Sequence, residues 1–414
     1  MSDNSIIDDL LTELNKHATS AKAYLQGDHA QHTWGATVPY LSPQWLIGGS
    51  NVLPCQRYFG FSGEEKSFKS TLAIEFGNWF ILQNGVHIHL DTENKTSPTM
   101  LDAMTWWNGI GELRRRVFKV CASIGEWQMM TTKTVESARK MGPKPVNQRI
   151  PLFVTVDSLM ARSTEDADRE LRKEGAAAER AFPVSSLQVT NFLETLNLLG
   201  TTCAVGWVQH MKESMDQTTG YSKQYKEKGA KAAQFSCSTH LRVSKGAAFR
   251  VAKDDSAPFP GIAVEGYDIY MKTARSCLGP GDRTLKVRLC WQQVPQEDGT
   301  QRQAMWFDWH GALGEVLCRM LYDENFKPKL FKEDKARLRE ALRFTQKAAN
   351  SVKCEELGLD GASFYAFGKA IDDNIDVRDK LSKFLNITEY ASVQEADIDY
   401  AAGSLGEKKK KKGK

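Results

Sequence analysis

The middle of the chain alternates short apolar runs with longer stretches whose apolar residues recur at helical spacing. Such runs predict buried strands, and the helical spacing predicts helices. The predicted strands occupy residues 57–61, 85–90, 152–156, 203–208, 236–243, 267–274 and 285–291. The predicted helices between them occupy residues 70–82 and 187–199. Strands that alternate with helices predict an α/β fold with a doubly wound, mostly parallel sheet.

The two ends of the chain have a different pattern. Residues 5–26 carry apolar side chains at helical spacing before a polar, turn-rich stretch, which predicts a helical arm. From residue 309 the sequence is helical and charged, which predicts a small helical C-terminal domain, and the chain ends in a solvated lysine run. The predicted segments are an arm at 1–40, a core at 41–308, a helical domain at 309–400 and a basic tail at 401–414.

The composition narrows the class of protein. At 414 residues the chain is long enough for one large domain with appendages. No apolar run approaches the ~20 residues that cross a bilayer, so we expect no membrane partner. The eight cysteines form no C-x-x-C pair, which favours reduced thiols and a cytoplasmic location. A net charge of +4 neither identifies nor excludes a nucleic-acid partner.

The strongest chemical signal follows the first predicted strand. Residues 63–70, GEEKSFKS, match the phosphate-loop pattern G-x-x-x-x-G-K-[ST] except at the second glycine, where Phe68 stands. In such a loop, backbone N–H groups bind phosphate oxygens, the lysine reaches the terminal phosphates and the hydroxyl binds Mg²⁺. Read alone, the same residues also fit a polar loop at a helix start. The expected nucleotide-binding residues are Gly63, Glu64, Glu65, Lys66, Ser67, Phe68, Lys69, Ser70 and Thr71.

Carboxylates follow two other predicted strands. Asp157 ends the run at 152–156, where we expect it to support Mg²⁺ together with Ser70. Glu93 follows the run at 85–90, where a general base can orient water for attack on the γ-phosphate. Because ligands of open α/β sheets gather at the carboxyl ends of strands, these strand ends predict one site for ATP and Mg²⁺.

With these motifs in place, the chain resembles the RecA/UvsX family of recombinases along nearly its whole length. LIGGSNVLPCQRYFGFSG resembles the approach to the phosphate loop, and UvsX members carry Phe where other members have the second glycine. HLDTENKTSP resembles the strand with the catalytic glutamate, and LFVTVDSL the strand with the Mg²⁺-supporting aspartate. The family's later segments are matched by VGWVQHMKE, KGAKAAQFSCSTHLRV and YMKTARS. ELNKHATSAKAYLQG resembles the polymerisation arm, and SFYAFGKAIDDNIDVRDKLSKFL the end of the C-terminal domain. The basic tail departs from the acidic tails usual in the family.

The resemblance implies roles for individual residues of the ATP site. It makes Glu93 the catalytic glutamate and places Ser97 and Met100 near the adenine. It makes His210, beside Gln209, the sensor of the γ-phosphate, at a position where the family generally uses glutamine. The resemblance also implies a RecA-type core between a polymerisation arm and a small helical C-terminal domain.

The resemblance further implies that ATP is held between neighbouring subunits. Arg275 would supply a cation to the neighbour's ATP site. Cys277 stands where RecA has a second lysine, and Lys272, three residues before Arg275, would assist.

The implied function is that of a DNA-dependent ATPase that forms helical filaments on single-stranded DNA and exchanges strands with homologous duplex DNA. Mediator and single-strand-binding proteins are implied partners, in the host cytoplasm if the chain is phage-encoded. Two other functions fit the same ATP site. One is a hexameric RecA-fold helicase, and the other is a RecA-like DNA-binding protein with weak or no ATP turnover.

Two loops are implied to contact DNA. The first spans residues 162–183, whose five basic and six acidic residues also fit a solvated charged helix or insert. The second spans residues 212–231, where five lysines and two tyrosines would neutralise phosphates and stack on bases, although an ordinary surface loop has the same composition. The expected DNA-binding residues are Lys212, Tyr221, Lys223, Tyr225, Lys226, Lys228 and Lys231.

Other conspicuous residues have simpler interpretations. His87 and His89 fall on one face of a strand and lack a third metal ligand nearby, so we expect packing residues. The Arg114–Arg116 triplet predicts an exposed helix face, or a contact to duplex DNA. Trp106 and Trp107 predict a core or interface position.

Overall fold

A computed structural model of the chain shows how these segments are arranged. It describes residues 34–55, 57–91, 96–113, 115–120, 129–130, 132–133, 151–158, 203–215, 223–227, 237–252, 257–322, 332–341 and 361–392. The predicted arm helix at 5–26, the helix at 187–199, the loop at 162–183 and the basic tail lie outside the described residues.

A large sheet dominates the described part of the chain. The strands are β1 Trp34–Thr37, β2 Val52–Pro54, β3 Tyr58–Gly63, β4 Val86–Asp91, β5 Arg116–Val120, β6 Leu152–Asp157, β7 Cys203–Met215, β8 Lys223–Glu227, β9 Thr239–Val251, β10 Val264–Ser276, β11 Thr284–Pro295, β12 Gln301–Asp308 and β13 Ala391–Ser392. The large sheet has the order β12-β11-β10-β9-β3-β7-β6-β4-β5, with β8 paired to β7. From β9 to β5 all neighbours are parallel, whereas β10, β11, β12 and β8 pair in antiparallel fashion. The predicted α/β class with a large, mostly parallel sheet is confirmed.

Several strands are longer than their apolar runs predict. β9, β10 and β11 continue well beyond the buried core, and β12 was not predicted at all. Buried residues alternate with more exposed ones in β10 and β11, and the outer part of β9 has no buried residue, because this antiparallel extension is not covered on both faces. A search for continuous apolar runs therefore ends where full burial ends, although the hydrogen-bonded ladder continues.

The helices pack on this sheet and on each other. They are α1 Leu41–Leu46, α2 Lys69–Leu82, α3 Pro98–Ala103, α4 Trp309–Tyr322, α5 Lys332–Ala341, α6 Gly361–Asp372 and α7 Ile375–Phe384, with a 3₁₀ turn at Ile110–Leu113. α2 is apolar on several sides, as a helix enclosed by its neighbours must be. Phe76 meets Phe61 of β3 at 5.2 Å between ring centroids, while Trp79 meets Trp309 of α4 at 5.8 Å. α2 is thus held between the sheet and the first C-terminal helix.

The C-terminal helices share one hydrophobic core with the sheet and with β1. β1 pairs with both β2 and β13, so the two ends of the described chain meet in a small sheet. Asp372 of α6 accepts hydrogen bonds from His310 (2.9 Å) and from the backbone of Leu41 (3.3 Å). None of the helices in the described part combines the length and apolar character that a membrane span needs.

The prediction for the arginine triplet is wrong. Arg116 begins β5, and its guanidinium points inward to His87 and Asn78 rather than outward from a helix. Arg115 also lies outside any helix and donates to the Asn84 carbonyl, and Arg114 lies outside the described residues. Three adjacent arginines in a sequence do not show which residues each of them will contact. These contacts are visible only in the structure.

Candidate functional site

Several of the predicted site residues lie at the carboxyl edge of the parallel strands. Gly63, the last residue of β3, is paired with His210 of β7 and with Val243 of β9. Asp91 and Asp157, the last residues of β4 and β6, are paired with each other. Parallel strands end at the same edge, so the loop after β3 and the two carboxylates belong to one surface.

The loop between β3 and α2 forms a strand–loop–helix turn whose backbone suits an anion. Lys66 and Phe68 both adopt left-handed backbone conformations, with φ of 61° and 65°. Gly63 must lack a side chain, because a Cβ there would lie 2.1 Å from the Val243 carbonyl oxygen and 2.7 Å from Ser67 Oγ. α2 begins directly after the loop at Lys69, and the N–H groups of its first turn have no partners within the helix. This combination favours an anion.

Lys69 is enclosed by the loop it follows. Its side chain is buried, and its ammonium donates to the Glu64 carbonyl and, at 3.1 Å, to Ser67 Oγ. Ser67 Oγ in turn donates to the Glu64 carbonyl at 2.8 Å. The Lys69 ammonium and the N–H groups at the start of α2 are donors of the kind that bind a phosphate group.

Phe68 explains how this loop works without its second glycine. The left-handed conformation at this position is the one that glycine adopts without cost, and a residue with a Cβ is strained there. Its ring lies 5.5 Å from that of Tyr267 in β10, and the Lys245 ammonium of β9 lies 5.6 Å from Phe68 and 3.5 Å from Tyr267. The aromatic and cation–π contacts offset the backbone strain and tie the loop to β9 and β10.

The remaining polar groups of the edge come from Ser70, Asp157 and Asp91. Ser70 is half-buried in the first turn of α2, and Asp157 is buried at the end of β6. Asp91 is also buried, and its Oδ2 accepts the backbone N–H of Thr96 at 2.8 Å. The sequence prediction did not include Asp91 in the site. Asp91 directly follows the predicted strand at 85–90, and that position is the sequence signal that would have found it.

Mg²⁺ in phosphate sites takes few ligands from the protein and the rest from phosphate and water. Ser70 and Asp157 fit that pattern, since both lie at the edge where the phosphate loop begins. Within the described residues there is no group of three or more His, Cys, Asp or Glu side chains that could hold a metal ion by themselves. Ser70 and Asp157 are hydroxyl and carboxylate oxygen donors, which Mg²⁺ accepts as ligands.

The residues expected near adenine lie on a short helix against α2. Ser97 caps α3, and its Oγ accepts the Met100 N–H at 3.1 Å. Met100 Sδ lies 3.9 Å from Thr71 Oγ1, so the start of α3 contacts the start of α2. Glu93, the expected general base, lies outside the described residues between Asp91 and this helix.

α3 and the turn after it are anchored to the edge strand β12. Trp106 Nε1 donates to the Gln303 carbonyl at 2.7 Å, and Trp107 Nε1 donates to the Met305 carbonyl at 3.2 Å. Asp102 binds Arg302 through two hydrogen bonds. The two tryptophans therefore cover carbonyls of an edge strand, which protects the strand from pairing with another chain.

His210 is brought to the phosphate loop, whereas Arg275 is not. His210 is half-buried and paired with Gly63, and Gln209 beside it is buried. Arg275 is exposed on β10 opposite His240, which is itself level with Gly60. Three residues of strand separate this level from Gly63, or about 10 Å.

The cation expected to assist Arg275 is bound elsewhere. The Lys272 ammonium forms an ion pair of 2.9 Å with Asp282, and both side chains are largely exposed. Cys277, at the position of the second family lysine, is exposed, and its backbone N–H donates to the Ser238 carbonyl. Cys277 and the five other cysteines in the described part of the chain are free thiols.

The expected second DNA loop begins as a hairpin. β7 continues past His210 to Met215 and pairs with β8, so that Lys212 lies opposite Lys226 and Met215 opposite Lys223. Tyr225 lies opposite Glu213 in the same ladder. An irregular loop was predicted because alternating lysine and polar residues lack an apolar run. Tyr221, Lys228 and Lys231 lie outside the described residues.

Comparison with known proteins adds no relative. No protein-family model matches the chain. No curated protein sequence gives a significant match either.

Proposed function

We propose that the chain is a RecA-type, ATP-dependent recombinase that assembles on single-stranded DNA. The observation that carries the proposal is the position of Lys69. Its buried ammonium lies inside a strand–loop–helix turn, at the sheet edge where β6 ends in Asp157. The large, mostly parallel sheet with α2 packed on β3 is compatible with a RecA-like core.

Residues of the loop, α2 and β6 would each bind a different part of the triphosphate and its Mg²⁺. The loop N–H groups between Gly63 and Lys69 and the start of α2 would bind phosphate oxygens. The Lys69 ammonium would exchange the Glu64 carbonyl for the terminal phosphates, a stronger acceptor. Ser70 and Asp157 would hold Mg²⁺, which supplies positive charge against the phosphate oxygens when it is bound.

Hydrolysis and DNA binding would be coupled through one strand. Glu93 would orient the attacking water, and His210, paired with Gly63, would contact the γ-phosphate. The same strand continues to Lys212 and the hairpin with β8, so a shift of His210 on hydrolysis moves the base of the DNA-binding segment. Arg275, exposed on β10 and away from the chain's own Gly63, would contact the ATP site of a neighbouring subunit.

The DNA partner is proposed from the composition of the hairpin. Lysines on both of its strands would neutralise phosphates, and Tyr221 and Tyr225 would stack on bases without sequence preference. Homologous duplex DNA, mediator proteins and single-strand-binding proteins complete the proposed set of partners, and the proposed compartment is the cytoplasm.

ATP hydrolysis with and without a single-stranded oligonucleotide tests the enzymatic part of the proposal. We expect DNA to stimulate hydrolysis and Lys69→Ala to lower it on the order of 100-fold or more. Lys332→Ala, which removes an equal charge from the exposed start of α5, is the matched control and is expected to behave as the native chain. Absence of hydrolysis in the native chain would reject the enzyme and leave a DNA-binding protein.

Electron microscopy with ATP and single-stranded DNA tests the assembly. Open helical filaments support the recombinase, whereas closed rings favour a hexameric helicase. A chain that remains monomeric with oligonucleotide and a non-hydrolysable ATP analogue contradicts both.

A further inference from the structure

A continuous chain of buried hydrogen bonds runs under the candidate site. Arg116 Nε donates to His87 Nδ1 at 2.9 Å, and His87 Nε2 lies 2.7 Å from Thr155 Oγ1. The same hydroxyl lies 2.9 Å from His89 Nδ1, and His89 Nε2 lies 3.2 Å from Thr96 Oγ1. Five side chains from β5, β4, β6 and the start of the α3 segment are thus joined in one line.

The Arg116 guanidinium at one end of the line sets which atom is the donor in each of the hydrogen bonds. Arg116 can only donate, so His87 Nδ1 is the acceptor and its Nε2 carries the proton. Thr155 Oγ1 accepts a hydrogen bond from that N–H, and the Thr155 hydroxyl satisfies its own donor by bonding to His89 Nδ1. His89 therefore carries its proton on Nε2 and donates to Thr96. Both histidines are fixed as neutral Nε2–H tautomers by one arginine.

The surroundings keep both imidazoles neutral and in place. Burial and the nearby Arg116 charge lower the pKa of His87 well below its ordinary value, and burial lowers the pKa of His89 to about 4. His87 lies against α2 where Gly77 leaves room, because a Cβ at that residue would be 2.2 Å from His87 Nδ1. His89 stacks on Phe118 of β5 with 5.6 Å between ring centroids.

The far end of the line reaches the carboxylates of the site. Thr96 receives the last hydrogen bond through its hydroxyl and donates its backbone N–H to Asp91 Oδ2 at 2.8 Å. Thr155, at the centre, lies two residues before Asp157 in β6. The ends of β4 and β6 and the residue before the α3 cap are therefore attached to the same line of hydrogen bonds.

We infer that Arg116, His87, Thr155, His89 and Thr96 form a positioning network, which fixes Asp91 and Thr96 relative to Asp157. The inference rests on the proposed ATP hydrolysis, in which Glu93, between Asp91 and Thr96 in sequence, is the proposed general base. The five residues are not proposed to touch the nucleotide. Their effect is to hold Asp91 and Thr96 in place on either side of Glu93, and small displacements near a general base lower the rate.

Replacement of the central hydroxyl separates this role from simple packing. Thr155→Val keeps the shape of the side chain and removes both hydrogen bonds, whereas Thr155→Ser keeps the hydroxyl and removes a methyl group. We expect the valine variant to lower kcat for ATP about 10-fold or more while KM changes by less than about 3-fold. Thr155→Ser, which keeps the hydroxyl, should have a kcat within about 3-fold of that of the native chain.

Histidine nitrogen spectra provide a readout that does not depend on ATP. In the ¹⁵N-histidine-labelled native chain, His87 and His89 should both appear as neutral Nε2–H tautomers, with assignments from His87→Asn and His89→Asn variants. The valine variant should change the Nδ1 signal of His89, which loses its donor. Native spectra with an Nδ1–H tautomer at either residue would overturn the network.

The kinetic outcomes decide the remaining question. If Thr155→Val keeps the native kcat, the network only supports packing. The same conclusion follows if Thr155→Ser loses as much kcat as Thr155→Val. A native chain that hydrolyses no ATP overturns the proposed function and the catalytic consequence of the network. The spectra would then still show whether the hydrogen-bonded line exists, so the two failures are distinguishable.

Discussion

Phe68 occupies a backbone conformation that suits glycine, and its replacement is a quantitative test of the phosphate loop. At φ of 65° a Cβ costs about 1–2 kcal/mol. The ring offsets this cost through Tyr267 and Lys245, since an aromatic pair contributes about 0.5–1.5 kcal/mol and a cation–π contact about 0.5–1 kcal/mol. Phe68→Ala removes the ring and keeps the Cβ, whereas Phe68→Gly removes both.

The two variants therefore separate the side-chain contribution from the backbone contribution. We expect Phe68→Ala to lower the free energy of unfolding by about 1–2.5 kcal/mol, the sum of the lost ring contacts. We expect Phe68→Gly to be about 1–2 kcal/mol more stable than Phe68→Ala, because glycine adopts the left-handed conformation without strain.

Urea unfolding followed by tryptophan fluorescence measures this difference. The two midpoints are compared at a common m value, since neither change alters the surface exposed on unfolding appreciably. An alanine variant equal to or more stable than the glycine variant would refute the reasoning. That result would mean that residue 68 is not held at positive φ in the folded chain.

Three further predictions concern the described core. Gly77→Ala is expected to lower stability by about 1–3 kcal/mol, although alanine favours helices, because its Cβ displaces His87; a thermal melt at or above the native midpoint would contradict this. Trp106→Phe removes the hydrogen bond to the Gln303 carbonyl and is expected to lower the free energy of unfolding in urea by about 1 kcal/mol. An unchanged free energy of unfolding would contradict a bond of that strength. Because burial lowers the pKa of His89 to about 4, the unfolded chain binds a proton between pH 6.5 and 4 that the folded chain does not. The native chain should therefore lose about 1 kcal/mol more stability than His89→Asn between pH 6 and 5, and equal losses would exclude the lowered pKa.

The local parts of the site were predictable because they depend on neighbours in sequence. A glycine-containing turn between an apolar run and a helix is a pattern of adjacent residues, and Tyr58–Gly63 and Lys69–Leu82 appear where that pattern places them. The same holds for Asp157, since an apolar run followed by a carboxylate is visible in a few letters. Glu93, Tyr221, Lys228 and Lys231 stay predictions, as they lie outside the described residues.

The chain's own sequence thus determines the strands and helices that carry the candidate site and the polar residues at their ends, because those features depend on short-range periodicity and turn chemistry. Only the tertiary structure decides that Asp91 is paired with Asp157, that Arg116 points inward to His87, and that Trp106 covers an edge strand. Each of these contacts joins residues from about 30 to about 200 positions apart, so it depends on strand order and register. Register follows from the packing of the whole sheet, which no local pattern contains.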